Sequence, residues 1–157
     1  MITKNNMNKD ELIIRKIKDD DLDDMYRLLS DNRVMKYLEE PFSYEKTEMF
    51  IKNNGLIDNP LIYAVDYKND FIGYVIYHEY DNESMEIGWV LLPEYWNRNI
   101  ASSLTEMLID KSFSMNKNVV IECSDDQDTT KRIAEKYGFI FKENKNGLDI
   151  YVKSFKN

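Results

Sequence analysis

Residues 85–113 read MEIGWVLLPEYWNRNIASSLTEMLIDKSF. A strand, a break and a helix follow one another here. The segment up to Leu92 is rich in β-branched and aromatic side chains, as strands are. Pro93 cannot donate a backbone hydrogen bond, so it stops regular sheet pairing. Beyond it, Ala101, Leu104, Leu108, Ser112 and Met115 recur at helical steps, and Ile109 and Phe113 widen the apolar face. The helix therefore starts inside WNRNIASS. A helix start presents backbone N–H groups without internal partners, and these attract anions. Arg98 adds a positive charge, and Ser102 and Ser103 add hydroxyls. Asn97 and Asn99 tolerate left-handed backbone angles. The expectation is a phosphate cradle beside the end of a strand. The plainer alternative is an ordinary strand–loop–helix whose first N–H groups hold water or a cap.

Working outward, LIYAVDY, FIGYVIYHEY and MEIGWVLL are separated only by the turn sequences KND and DNES. They predict three consecutive antiparallel strands. Upstream, LIIRKI predicts a first strand. DDDLDDMYRLLSD predicts a helix with Leu22, Met25, Leu28 and Leu29 on one stripe. SYEKTEMFIKNN predicts a second helix, capped by Ser43, with Met49 and Phe50 inward. Downstream, NVVIEC predicts a strand and TTKRIAEKY a helix closed by Gly138. FIFKE and LDIYVKSF predict a final hairpin through Asn146-Gly147. The fold class is α+β, with a mostly antiparallel twisted sheet flanked by helices.

The 157 residues suit a single domain, 1–157, with 1–10 expected as a flexible polar tail. A formal net charge of −8 disfavours nucleic acid as a partner and favours a cationic one. The lone cysteine, Cys123, excludes an intramolecular disulfide. The lone histidine, His78, cannot form a histidine metal site by itself, so no metal is expected. No apolar run suits a signal peptide or a bilayer span, so a cytoplasmic protein away from membranes is expected.

The stretch quoted above, followed by DDQDTTKRIAEKYGF at 125–139, resembles the GCN5-related N-acetyltransferase superfamily. The likeness is to the branch acting on ribosomal protein N-termini and related amines, and it covers about residues 12–155. The superfamily loop pattern (Gln or Arg, two variable residues, Gly, one variable residue, Gly or Ala) falls on Trp96 to Ala101. Asn99 stands in the key glycine place, and Asn97 where this branch often has glycine. The resemblance implies acetyl-CoA as cofactor and CoA as product. It implies that backbone N–H groups of Arg98, Asn99, Ile100, Ala101 and Ser102 hold the pyrophosphate. Leu91 and Leu92 would pair with the pantetheine arm, and Arg98 would also reach a phosphate, with a structural surface role as its alternative. It implies an enzyme that acetylates a primary amine: a protein or peptide N-terminus, or a polyamine or aminoglycoside. Relatives of this size often pair, so a homodimer is also implied. The departures at Asn97, Asn99 and Ala134 keep open a non-catalytic CoA-binding or protein-interaction module.

For the transfer, a base must take a proton from the amine. Alternation along MEIGWVL places Glu86, Gly88 and Val90 on one face and Met85, Ile87, Trp89 and Leu91 on the other. Gly88 leaves room beside Glu86, and the resembled branch often has a glutamate in this strand. Glu86 is therefore the candidate base, with a structural carboxylate as its alternative. N–H groups near Val90 to Leu92 would polarise the carbonyl. The second signature implies Gln127 at the pantetheine and Thr130 at the leaving sulfur, unless Thr130 only caps its helix. The tyrosine expected at position 134 is an alanine, and Tyr137 is the candidate acid in its stead, with packing as its alternative. His78 would line the amine channel or sit half-exposed on its strand. Cys123 would pack as a small apolar group. Glu39, Glu40, Glu45 and Glu48 would either draw in a cationic amine or form a solvated helix face.

Overall fold

A computed structural model describes residues 8–156. The element order is β1 (Leu12–Arg15), α1 (Leu22–Leu29), α2 (Asn32–Met35), α3 (Tyr44–Asn54), β2 (Ile62–Tyr67), β3 (Asp70–Asp81) and β4 (Ser84–Leu91). Then come α4 (Ile100–Ser114), β5 (Asn118–Ser124), α5 (Asp128–Lys136), β6 (Ile140–Lys145) and β7 (Leu148–Lys153). Among the described residues the strands form one sheet in the order β1-β2-β3-β4-β5-β7-β6. β1 with β2, β2 with β3, β5 with β7 and β6 with β7 pair antiparallel, and β4 with β5 pairs parallel. A parallel pair needs a long crossover, which α4 supplies. The architecture is the expected α+β one, a mixed and mostly antiparallel twisted sheet flanked by helices.

The described residues form two compact units: 8–76 with 89–103, and 77–88 with 104–156. In the first, Met25, Leu28 and Leu29 of α1, Val34 and Met35 of α2, and Ile51 of α3 pack on Ile62, Ala64, Phe71 and Tyr74. Val90 and Leu92 join that core; they lie two residues apart, as alternation along β4 requires. In the second unit, Leu104, Leu108 and Ile109 of α4 are buried, as are Val119, Val120 and Ile121 of β5 and Ile133, Ala134 and Ile150. The Ser112 hydroxyl donates to the Leu108 carbonyl (2.8 Å) and lies 3.1 Å from the Tyr77 hydroxyl, so this helix face buries a polar group that is satisfied.

Several expectations need correction. Ser43 does cap α3, accepting from the Lys46 N–H at 3.1 Å. The buried positions of α3, however, are Thr47 and Ile51; Met49 is 53% exposed, while Phe50 is partly buried against the core. α4 stops at Ser114, leaving Met115 outside it and 44% exposed. The short α2, capped by Asp31, had no counterpart among the expected elements. Of the expected tail, Met1–Met7 lie outside the described residues. Asn8 caps a 3-10 turn over Lys9–Glu11, so residues 8–10 have defined structure. Asn146 and Gly147 do turn the final hairpin, both with left-handed φ (55° and 83°).

The first unit contains a partly buried ion network. Arg15 donates to both carboxylate oxygens of Asp21 (2.8 Å each) and of Asp66 (2.7 and 3.2 Å), and the Lys18 N–H also reaches Asp21 (2.8 Å). Burial raises the Asp21 carboxyl, but the hydrogen bonds from Arg15 and Lys18 outweigh it and hold the group below the usual carboxylate range. Arg15→Met is therefore expected to cost about 3 kcal/mol in urea unfolding at neutral pH, because it strands a buried charge. A group with a depressed folded pKa stabilises above its unfolded pKa and loses that contribution as pH falls through the folded one. The deficit of the variant is thus expected to open as pH rises through the carboxylate range.

Candidate functional site

In the first unit, the chain leaves β4 through a tightly bonded turn. The Leu92 N–H donates to the Ile72 carbonyl (2.8 Å), Tyr95 N–H to Leu92 (2.9 Å) and Trp96 N–H to Pro93 (3.1 Å). The Trp96 indole N–H closes the turn on the Leu91 carbonyl at 2.8 Å. Both backbone groups of Leu92 are thus bonded within the chain, and so is the Leu91 carbonyl. Of the two strand positions expected to meet pantetheine, Leu92 is therefore poorly placed to pair through its main chain. Leu92 is also poorly placed as an oxyanion donor.

Asn97 and Asn99 then turn the chain twice, at φ 58° and 64°. Asparagine enters this region more readily than most side chains because its short polar group bonds locally. The loop conformation a glycine would adopt is therefore met without glycine. α4 begins at Ile100, which is buried, and the Asn99 carbonyl accepts its early N–H bond from Ser103 at 3.2 Å. The Ser102 and Ser103 side chains are buried rather than presented to solvent. The guanidinium of Arg98 lies over aromatic rings, 5.3 Å from the Tyr95 centroid and 5.8 Å from that of Tyr67, with a 3.5 Å contact to the Glu94 carbonyl. In this position the side chain braces the loop.

A second group of residues belongs to the other unit. His78 and Tyr80 are alternate, partly buried residues of β3, and Glu86 is a partly buried residue of β4. The His78 Nε2 lies 3.6 Å from Glu86 Oε1. Glu86 pairs in register with Val120 of β5, so Glu122, two residues on, falls on the Glu86 face. Glu122 accepts from the Tyr80 hydroxyl at 2.9 Å. Burial pushes the Glu86 carboxyl up, facing His78 pulls it down, and the Glu122 charge pushes it up again; the net shift is upward. Partial desolvation and the bond to Glu122 push Tyr80 up to about 12. A carboxyl raised by burial and facing an imidazole is a candidate for proton transfer.

α5 carries the residues of the second signature. Gln127, not Thr130, occupies the N-cap position, and Thr130 lies within the first turn, half-buried. The capping alternative for Thr130 is thereby overturned. The Gln127 Oε1 accepts from the Ser124 N–H (2.8 Å) and hydroxyl (3.1 Å), locking the turn between β5 and α5. Tyr137 is at the C-cap, about 10 Å along the axis from Thr130 at 1.5 Å per residue. The helix therefore does not bring these two together, and the buried Ala134 leaves no hydroxyl between them. Cys123 is buried and its thiol is pushed up chiefly by burial, which suits packing and not nucleophilic attack. Glu39, Glu40, Glu45 and Glu48 are exposed, and Glu39 pairs with Lys46.

Tyr80 and Glu122 were absent from the sequence reading. Tyr80 follows His78 by alternation, so it was within reach. Glu122 needs the β4–β5 register, which no local pattern contains. Among the described residues no group of His, Cys, Asp and Glu has the arrangement of a metal site, and no helix is long and apolar enough to cross a membrane.

Residues 11–140 match the family described as the acetyltransferase (GNAT) domain. An uncharacterized N-acetyltransferase of Bacillus subtilis, YnaD, is 31% identical over 134 residues, covering 81% of this chain and 78% of that protein. Among solved structures, a GNAT-family acetyltransferase from Bacillus anthracis superimposes with a TM-score of 0.83 at 24% identity, over 96% of this chain and 99% of the other. A spermidine N-acetyltransferase from Vibrio cholerae, solved with CoA and spermine, gives 0.74 at 20% identity, over 94% and 99%. These structural likenesses concern the fold.

Proposed function

The chain belongs to the GNAT acetyltransferase family, and from that premise we propose that it uses acetyl-CoA to acetylate a primary amine, working as one domain. The observation that carries the cofactor reading is the loop before α4. Its two left-handed asparagines reproduce the turns that the family pattern assigns to glycine, and they deliver the chain into a helix start, where backbone N–H groups favour an anion. The diphosphate of acetyl-CoA fits that chemistry. Main-chain groups of Arg98, Asn99, Ile100, Ala101 and Ser102 would hold it. Pantetheine would pair chiefly at Leu91, with the Gln127 amide nitrogen as a further contact.

Bound acetyl-CoA would supply an activated thioester. The chain's own part is to orient the amine, remove its proton and assist the departing sulfur. Glu86 is the residue for the proton, being raised by burial. Thr130 is the residue for the sulfur, and Tyr137 is the weaker candidate because of its place at the far end of α5.

For the acceptor, a protein or peptide α-amine is the first reading, supported by the resemblance of residues 85–113 to the branch acting on ribosomal protein N-termini. A polyamine is the second reading, favoured by the carboxylates of Glu86 and Glu122 on one sheet face with Glu143 acting on the same Tyr80. Purified protein with acetyl-CoA, followed for CoA release across peptides and polyamines, tests both. If folded protein releases CoA with none of these amines, the reading fails.

The loop gives a sharper expectation. In calorimetric titrations, Asn99→Gly is expected to bind CoA at least as tightly as the wild type, because glycine keeps the turn and removes a side chain. Asn99→Val is expected to lose about tenfold or more, since a β-branched residue strongly resists positive φ.

A further inference from the structure

We propose that His78 and Glu86 hold one proton between them, and that the proton-free form of this pair, rather than Glu86 alone, is the base for the incoming amine. The second half rests on the acetyltransferase reading; the first half stands on the geometry. The His78 Nδ1 lies 2.9 Å from the Glu79 carbonyl oxygen. A carbonyl only accepts, so Nδ1 must carry the hydrogen, and in a neutral ring Nε2 is then a bare acceptor. That Nε2 faces Glu86 Oε1 at 3.6 Å. An ionised carboxylate is an acceptor as well. Two lone pairs facing each other repel, and one proton carried by either group turns that repulsion into attraction. The proton resides on the ring, facing a carboxylate, or on Glu86, facing a neutral ring. Either way the pair has zero net charge.

The neighbours favour keeping that proton. Glu122 on β5 adds a negative charge that acts on Glu86. Tyr80 on β3 stays neutral, since its hydroxyl is pushed up to about 12 and donates to Glu122. Glu143 on β6 adds further negative potential at Tyr80. In the transfer, an ammonium R–NH3+ meets neutral His78 and ionised Glu86. An N–H bond breaks, its electron pair stays on nitrogen, and the proton joins the pair, giving R–NH2 ready to attack. The pair later releases the proton to water. Glu86 meets the amine, and His78 is a positioning residue that sets how firmly Glu86 keeps the proton.

Because the chain has one histidine, nitrogen NMR of imidazole-labelled protein reads this site without overlap. The neutral ring is expected as the Nδ1–H form, with a bare Nε2. In His78→Gln, the acid limb of the rate–pH profile is expected to move to higher pH, because the variant loses the group that pulls the Glu86 carboxyl down. A neutral Nε2–H ring in the wild type, or an unmoved acid limb in the folded variant, overturns the proposal. The tautomer is read on unaltered protein, so it decides even if the variant folds poorly. If the NMR result holds and no amine gives CoA release, the acetyltransferase reading fails and the shared proton remains.

Discussion

Gly73→Ala is expected to leave little folded protein. A methyl group built on Gly73 would sit 2.1 Å from the Val90 carbonyl oxygen and 2.9 Å from the Leu91 Cα. Both are backbone atoms, so no side-chain rotation relieves the clash. The φ of 154° adds strain for any residue with a Cβ. Relief requires drawing the end of β4 away from β3, and the Leu92–Ile72 hydrogen bond at 2.8 Å lies in that same place. The expected loss exceeds about 4 kcal/mol, a large part of the 5–15 kcal/mol by which domains are stable. Gly147→Ala is the control. It also has positive φ (83°), but nothing lies within 4 Å of the added Cβ, so it is expected to cost only about 1 kcal/mol. Thermal melts and soluble yield of the two variants measure the contrast. Equal losses would mean that backbone angle, not the approach of β4, is what Gly73 serves.

The stretch from Met85 to Phe113 disclosed its structure because each change of state there has a local chemical cause. Pro93 ends the pairing, asparagines take the left-handed turns, and an apolar stripe begins at Ile100. The same holds for Ser43 as a cap and Asn146-Gly147 as a turn. Thr47 shows why other positions were less legible. A threonine reads as a surface residue, yet this one is fully buried because its hydroxyl donates to the Ser43 carbonyl at 2.9 Å. With Thr47 and Ile51 holding the inward stripe, Met49 is left outside. Thr130 misled in the opposite direction: a helix start with several polar residues does not disclose which one is the cap. Within the candidate site, the loop was legible and the carboxylate face was only half so. Glu86 follows from one strand alone. Its partners depend on pairing across strands distant in sequence, and on a 2.9 Å bond that fixes one ring nitrogen of His78.

Glu86→Gln is expected to lower the rate of acetyl transfer by about a hundredfold or more, the lower end of what a positioned base contributes, with acetyl-CoA affinity unchanged. The wild-type rate is expected to fall with acidification through a pKa above the ordinary carboxylate range, since burial, the first of its causes, raises Glu86. Stability is expected to move the other way. Between 4.5 and the raised folded value, the folded chain keeps a proton that the unfolded chain has released. Stability therefore falls as pH rises across that window. Glutamine cannot ionise, so the variant escapes this loss and is expected to melt higher than the wild type at neutral pH. A residue that only supported the sheet would lose activity and stability together. A catalytic carboxylate held in an unfavourable setting loses the first and gains the second. Parallel melting curves and rate–pH profiles of the two proteins separate these cases. A fully active variant would remove Glu86 from the chemistry and leave it as the partner of His78.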